Sequence, residues 1–194
     1  MIGESSNASA GPVVLRDAVP ADAPGIASIY NDAVRHSTAI WNDVEVDAGN
    51  RAEWIAARRR DGFPVLVAVD GDGAVLAYGS FGPWRNFDGY RHTVEHSVYV
   101  RGDCRGMGLG RRMLAALVDA ARVQGRHVMV AAIDASNTPS ITLHRQLGFE
   151  ESGLVREAGF KFGRWLDLLF MRLQLDERGV DERSVQTSVA RALH

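Results

Sequence analysis

Between an alternating stretch and an amphipathic one, the chain reads Arg105-Gly106-Met107-Gly108-Leu109-Gly110-Arg111-Arg112. Upstream, Thr93–Val100 places Val94, His96, Val98 and Val100 on one face and Thr93, Glu95, Ser97 and Tyr99 on the other, the period of a strand. Downstream, Leu114, Leu117, Val118 and Ala121 recur at helical spacing within residues 108–124. A strand, a glycine-rich turn and a helix in that order call for a layered architecture with helices over a sheet. Glycines let the backbone turn tightly with its N–H groups aimed inward. The helix start adds partial positive charge, so the turn suits a phosphate or pyrophosphate. Arg111 and Arg112 stand in the first helical turn, where cations oppose the helix dipole; a bound anion offsets that conflict. A purely structural turn is the competing reading of the same glycines.

The rest of the chain extends this unit into a mixed α/β sheet. Strands are expected at Val13–Leu15, Phe63–Val69, Ala74–Phe81, His92–Val100, Val128–Ile133, Phe149–Leu154 and Leu166–Leu173. Asp70-Gly71-Asp72-Gly73 is a hairpin turn, and the unbroken apolar run Val128–Ile133 suits a strand buried on both faces. Helices are expected after Asp22, which can cap a helix with Pro24 in its first turn, and over 47–60, 108–124 and 138–147. In the first, Ile26, Ile29, Tyr30, Ala33 and Val34 make one apolar face; in the second, Arg58-Arg59-Arg60 reads as a solvated end. Residues 13–175 form one domain, with a disordered start over 1–12 and a loose tail over 176–194.

A net charge of −2 and a pI near 6.3 argue against a general nucleic-acid binder. Hydrophobic residues at 46% argue against disorder of the whole, and no apolar run reaches the ~20 residues of a membrane span. The opening MIGESSNASAGP has neither basic nor apolar segments of an export signal, and Cys104 stands alone, so a cytoplasmic protein is expected. Of the 22 basic residues a single one, Lys161, is lysine; a GC-biased coding sequence accounts for that bias.

The anion can be narrowed. A P-loop needs Gly-Lys-Ser/Thr, which is missing, and a dinucleotide fingerprint needs glycine where Arg111 stands. Arg-x-x-Gly-x-Gly, filled by Arg105, Gly108 and Gly110, resembles the acyl-CoA pyrophosphate loop of the GCN5-related N-acetyltransferases. Glu95 lies on the strand face opposite the valines, upstream of that loop. Acetyl transfer to an amine needs a neutral nucleophile, and Glu95 is the candidate base, direct or through water. A half-exposed strand glutamate is the bland alternative. A covalent route through Cys104, with His92 or His96 as base, is a rival.

Asn137-Thr138-Pro139-Ser140-Ile141-Thr142-Leu143-His144-Arg145-Gln146-Leu147-Gly148-Phe149 resembles the second signature of that family, with His144 in the usual place of a tyrosine. That histidine is similar to the phosphinothricin N-acetyltransferase-like subgroup, as are Ile29-Tyr30-Asn31, Ile40-Trp41-Asn42-Asp43, Tyr90–Val100 and Lys161–Asp167. The segment Ser80–Arg91 adds a likeness to bacterial enzymes acetylating methionine sulfoximine and methionine sulfone. The resemblance implies a single-domain GNAT fold, a mixed twisted sheet flanked by helices, and acetyl-CoA as co-substrate without a metal. It implies coenzyme contacts from Val98, Tyr99 and Val100, from Arg105, Gly106, Met107, Gly108, Leu109, Gly110 and Arg111, and from Asn137 and Ser140. His144 would protonate the departing thiolate or only pack against the coenzyme. A small-molecule amine would meet Arg85, Phe87, Asp88, Gly89 and Arg91 from the loop feeding Glu95's strand, with Lys161 either at the substrate or at the interface of an implied homodimer. Neither nucleic acid nor membrane is expected as a partner. A non-catalytic acyl-CoA sensor and a protein or peptide acetyltransferase stay open.

Overall fold

In the computed structural model, residues 12–176 are described; the expectations for residues 1–11 and 177–194 lie outside the described residues. The strands are β1 (Val14–Asp17), β2 (Val65–Val69), β3 (Val75–Pro83), β4 (Thr93–Val100), β5 (Val128–Asp134), β6 (Glu150–Lys161) and β7 (Arg164–Gln174). The helices are α1 (Ala23–His36), α2 (Ala48–Arg60), α3 (Leu109–Val123) and α4 (Thr138–Gln146). The expected order of strands and helices is met. One sheet of seven strands runs β1-β2-β3-β4-β5-β7-β6. Every neighbouring pair is antiparallel except β4 and β5.

Periodicity explains the layers. Leu114, Leu117, Val118 and Ala121 of α3 pack on Phe81, Val94, Met129 and Met171 of the sheet. On the opposite face, Ile26 and Ile29 of α1 and Ile55 of α2 cover Val65, Val67, Val69 and Tyr78. Burying one such leucine or isoleucine contributes about 1.5–3 kcal/mol, so the two apolar faces of the sheet hold both helical layers in place.

Four local expectations need correction. Asp22 occupies the N-cap position of α1 but makes no side-chain cap bond. Its buried carboxylate instead takes both guanidinium nitrogens of Arg16 and the Val19 amide, and the Arg16 bond holds it below the usual carboxylate range. The end of α2 is not simply solvated. Arg59 donates to the Ala18 carbonyl at 2.9 Å, and Arg58 lies against Gly82 and over the Phe63 ring. The β5 run is buried on both faces as far as Ala131, but Ala132 is exposed. Strand β6 continues to Lys161 rather than ending at Leu154. As the sheet's edge it is exposed along nearly its whole length, so no buried face imposes alternation, and its register slips near Gly153 and Gly159.

Candidate active site

The parallel β4–β5 pair is the irregularity that makes a site. Pairing runs only through Thr93↔Val128, Val94↔Met129 and Glu95↔Val130. Beyond Glu95 the strands part, and among the described residues the β4 edge from His96 to Val100 has no ladder partner on that side, although β3 still pairs with the other. The fork opens into a cleft of about 860 Å³. It runs from the glycine loop at one end past Val98, Tyr99 and Val100 to Glu95 and the α1–α2 loop, Ser37–Trp41.

Gly106 and Gly108 have φ of +78° and +77°. That left-handed backbone costs other residues about 1–2 kcal/mol each. Gly108 is the N-cap of α3 and offers no side chain, so the first amides of the helix are free for an anion. Arg105, Gly106, Gly108, Gly110 and Arg111 line the cleft and the loop is open. Met107 is exposed but does not line it, and the Leu109 side chain is buried with Cys104 and Met113, so only its backbone can reach a ligand. Arg111 reaches Gln146 of α4 at 3.4 Å, whereas Arg112 turns away to the Val13 carbonyl. Asn137 caps α4, its Oδ1 accepting from the Ser140 amide at 3.2 Å, and both residues line the cleft. Uncapped amides, two cationic side chains and an unpaired strand edge in one channel fit a long diphosphate-bearing thioester such as acetyl-CoA.

Glu95 stands at the vertex of the fork. Burial pushes its carboxyl above the ordinary glutamate value, with the charge of Arg85 opposing. Tyr99, on the same strand face, is pushed by burial to about 12 and stays a neutral hydroxyl.

On the other face lies a histidine pair. The rings of His96 and His144 stack at 5.1 Å, with Nε2 to Nε2 at 3.1 Å. His144 Nδ1 is 2.7 Å from the Ser140 carbonyl, which can only accept, so Nδ1 carries the proton. His144 Nε2 then accepts from His96 Nε2–H, and His96 Nδ1 is left as a buried acceptor without a partner among the described residues. Burial, with His144 adding, lowers His96 to about 3, and burial lowers His144 as well. His144 lines the cleft with its one proton held by the Ser140 carbonyl, an arrangement that fits packing against the coenzyme better than donation to a thiolate. Cys104 fares no better as a nucleophile: it is buried, and burial pushes its thiol up, away from the thiolate the covalent route needs.

The expected amine-binding residues divide. Arg85, Phe87, Asp88, Gly89 and Arg91 are exposed and do not line the cleft; Arg85 stacks on Trp84, and Arg91 donates to the Asp88 carbonyl. Of these, Arg85 has a charge felt at Glu95. Lys161 is a plain correction: it is 3% exposed, and its ammonium donates to the Ser37 and Ile40 carbonyls, so it does not face the cleft as a free cation. The loop Ser37–Trp41 has no place in the sequence reading of the site. It has no periodicity, and Ile40 and Trp41 enter only through the family likeness of Ile40–Asp43. Asp134 was missed too. Burial pushes its carboxyl up, but hydrogen bonds from Thr38 and from the amide and hydroxyl of Ser136 hold it below the usual range.

A forked sheet with a phosphate-ready turn at one end and a buried-strand carboxylate at the vertex is the framework of an acyl-CoA-dependent transferase. The family model "Acetyltransferase (GNAT) family" matches residues 26–149, and the chain belongs to that family. It is 61% identical over 162 residues to the L-methionine sulfoximine/L-methionine sulfone acetyltransferase of Pseudomonas paraeruginosa, covering 84% of this chain and 94% of that protein. It is 56% identical to the L-amino acid N-acyltransferase MnaT of Escherichia coli, covering 84% of this chain and 95% of that one. Among solved structures, yncA of Salmonella typhimurium with its cofactor acetyl-CoA superposes with a TM-score of 0.84 at 53% identity, covering 87% and 96% of the two chains.

Proposed function

We infer that this enzyme transfers the acetyl group of acetyl-CoA to the amino group of small amino acids carrying a tetrahedral sulfur or phosphorus group, methionine sulfoximine and methionine sulfone among them. Transfer is direct, with both substrates bound. The observation that carries this reading is the place of Glu95, the last β4 residue paired to β5, at the point where the cleft from the glycine loop meets the α1–α2 loop.

The residues divide the work along the cleft. The amides of Gly106–Gly110, with Arg105 and Arg111, hold the diphosphate. Val98 and Val100, whose main-chain groups face away from β3, offer them to the pantetheine arm, and their N–H groups stabilise charge growing on the carbonyl oxygen, while Tyr99, its main chain turned to β3, contributes only its side chain to the cleft wall. Asn137 and Ser140 flank the arm from α4. When bound, the co-substrate supplies an acetyl group activated as a thioester. Glu95 takes a proton from the substrate ammonium, directly or through water. The amine nitrogen then bonds to the carbonyl carbon, and the carbon–sulfur bond breaks with its electrons on sulfur. The nitrogen's second proton leaves through water as the amide forms, and the thiolate, the conjugate base of a thiol of pKa ~8.5, takes up a proton from solvent without a dedicated donor. Arg85 serves the substrate carboxylate, with Phe87, Asp88, Gly89 and Arg91 shaping the approach. The 3.0 Å bond of Arg91 to its own loop gives it a bracing part.

Two further elements belong to this reading. Leu154, Val155, Phe160, Phe162 and Trp165 are exposed on and beside the β6–β7 hairpin, and two copies pair there as a homodimer. The lone buried cysteine suits a reducing, cytoplasmic setting. Acetyl-CoA supplied with methionine sulfoximine, methionine sulfone or phosphinothricin should release free thiol. Tight coenzyme binding without thiol release from any small amine overturns the enzyme reading in favour of a sensor. Preference for a lysine peptide overturns the substrate class.

A further inference from the structure

The sequence holds one lysine among 22 basic residues, and that lysine is buried. Lys161 Nζ donates to the Ser37 carbonyl at 3.0 Å and to the Ile40 carbonyl at 2.5 Å. It lies 4.8 Å from the Phe162 ring centre, and burial lowers its pKa, with the nearby charge of Asp43 opposing. Its two oxygen partners belong to the loop that walls the cleft beside Glu95. The same loop touches β6 a second time. A Cβ placed on Gly159 would sit 2.2 Å from the Trp41 ring, so the indole packs directly on bare backbone there. Strand β6 thus grips the loop at both ends, by an ammonium under Ser37 and Ile40 and by a glycine under Trp41.

The choice of lysine follows from shape. An ammonium is compact and aims three donors from one point, so it can satisfy two converging carbonyls inside a single loop turn. A guanidinium is a wide planar fork suited to carboxylates and phosphates. A sequence that uses arginine elsewhere departs from it where the fork does not fit. Composition bias accounts for the arginines; it does not account for this exception.

We propose that Lys161 is a positioning residue of the amine site, latching the loop Ser37–Trp41 to the β6–β7 hairpin and thereby setting affinity for the acceptor amine. The kinetic consequence rests on the acetyltransferase reading above; the latch itself does not. Misplacing a substrate wall by ~1 Å can cost up to ~100-fold. Lys161→Met should therefore raise the KM for the amine about tenfold or more, while the KM for acetyl-CoA, held at the other end of the cleft, changes less than twofold. Lys161→Arg should fail to restore the amine KM.

A single lysine also makes the latch measurable without catalysis. The wild-type protein, treated with an N-hydroxysuccinimide ester and weighed by mass spectrometry, should resist modification at Lys161 while an N-terminal amine reacts. Gly159→Ala, which keeps the lysine but pushes Trp41 away, should make Lys161 reactive and raise the amine KM in parallel. Rapid labelling of Lys161 in the folded wild type overturns the latch. So does an unchanged amine KM in Gly159→Ala once its lysine has become reactive, or an equal rise of both KM values in Lys161→Met. If the wild type acetylates no amine at all, the function reading fails, and the labelling comparison still decides the latch. If Lys161→Met does not fold, the labelling of wild type against Gly159→Ala decides it.

Discussion

Acidification should destabilise this protein through its buried histidine pair, beginning above the range where carboxylates ordinarily titrate. In the unfolded chain His96 takes up a proton near its ordinary value of 6.5; in the folded protein, buried and facing His144, it does so at about 3. A folded-state pKa below the unfolded one means stability that is complete above 6.5 and is lost as pH falls toward the folded value. Across that window the unfolded chain binds one more proton, so unfolding becomes easier by roughly 1.4 kcal/mol per pH unit. Integrated from pH 7.5 to pH 5, His96 alone removes about 2 kcal/mol. That figure depends only on the folded value lying well below 5. His144, shifted in the same direction, adds to it. For a domain of this size the loss corresponds to about 4–8 °C in Tm. Urea melts at pH 7.5 and 5 on the wild type and on His96→Gln supply the assay, since the glutamine amide can still donate to His144 Nε2 but does not titrate. The variant should lose about 2 kcal/mol less than the wild type between the two pH values. Equal losses in both proteins would refute the neutral, stacked arrangement.

Other perturbations test separate parts of the structure. Glu95→Gln should lower kcat/KM by about 100-fold or more, and the acid limb of the wild-type rate profile should lie above 4.5, because burial raises Glu95 from that value; a limb at or below 4.5 counts against it as the base. The same raised carboxyl stabilises the fold below its unfolded pKa and ceases to as pH rises through its folded pKa, so Glu95→Gln should gain on the wild type in urea melts at pH 7.5 and not at pH 4. Gly108→Val forces a branched residue into φ of +77° and should raise the KM for acetyl-CoA with little change in the KM for the amine. Leu114→Ala empties a fully buried position under α3 and should cost about 2–5 kcal/mol in denaturant melts.

What could be read from the sequence was what depends on near neighbours. The glycine loop, the alternation that sets Glu95 opposite the valines, and the apolar faces of α1 and α3 are patterns a few residues wide, and the structure builds on each of them. The errors share a different origin. Lys161 lies 124 and 121 residues from the carbonyls it holds, and His96 lies 48 from His144. No local spacing encodes such meetings, so a lysine read as facing substrate proved to be braced against a loop. Strand β6 was cut short for a related reason: an edge strand exposed on both faces carries no hydrophobic period. Asp22 shows a third kind of failure, since Arg16 and the Val19 amide outcompete the helix start for its carboxylate.

The seclusion of Lys161 bears on life beside a reactive thioester. Acetyl donors modify exposed ε-amines spontaneously, and a protein that concentrates such a donor in its own cleft is the first target at hand. Every other member of the lysine–arginine set in this sequence is a guanidinium, which such thioesters leave untouched, and the one ε-amine is enclosed by main-chain oxygens. The enzyme can therefore stay charged with its reagent between turnovers without gradually capping its own lysine.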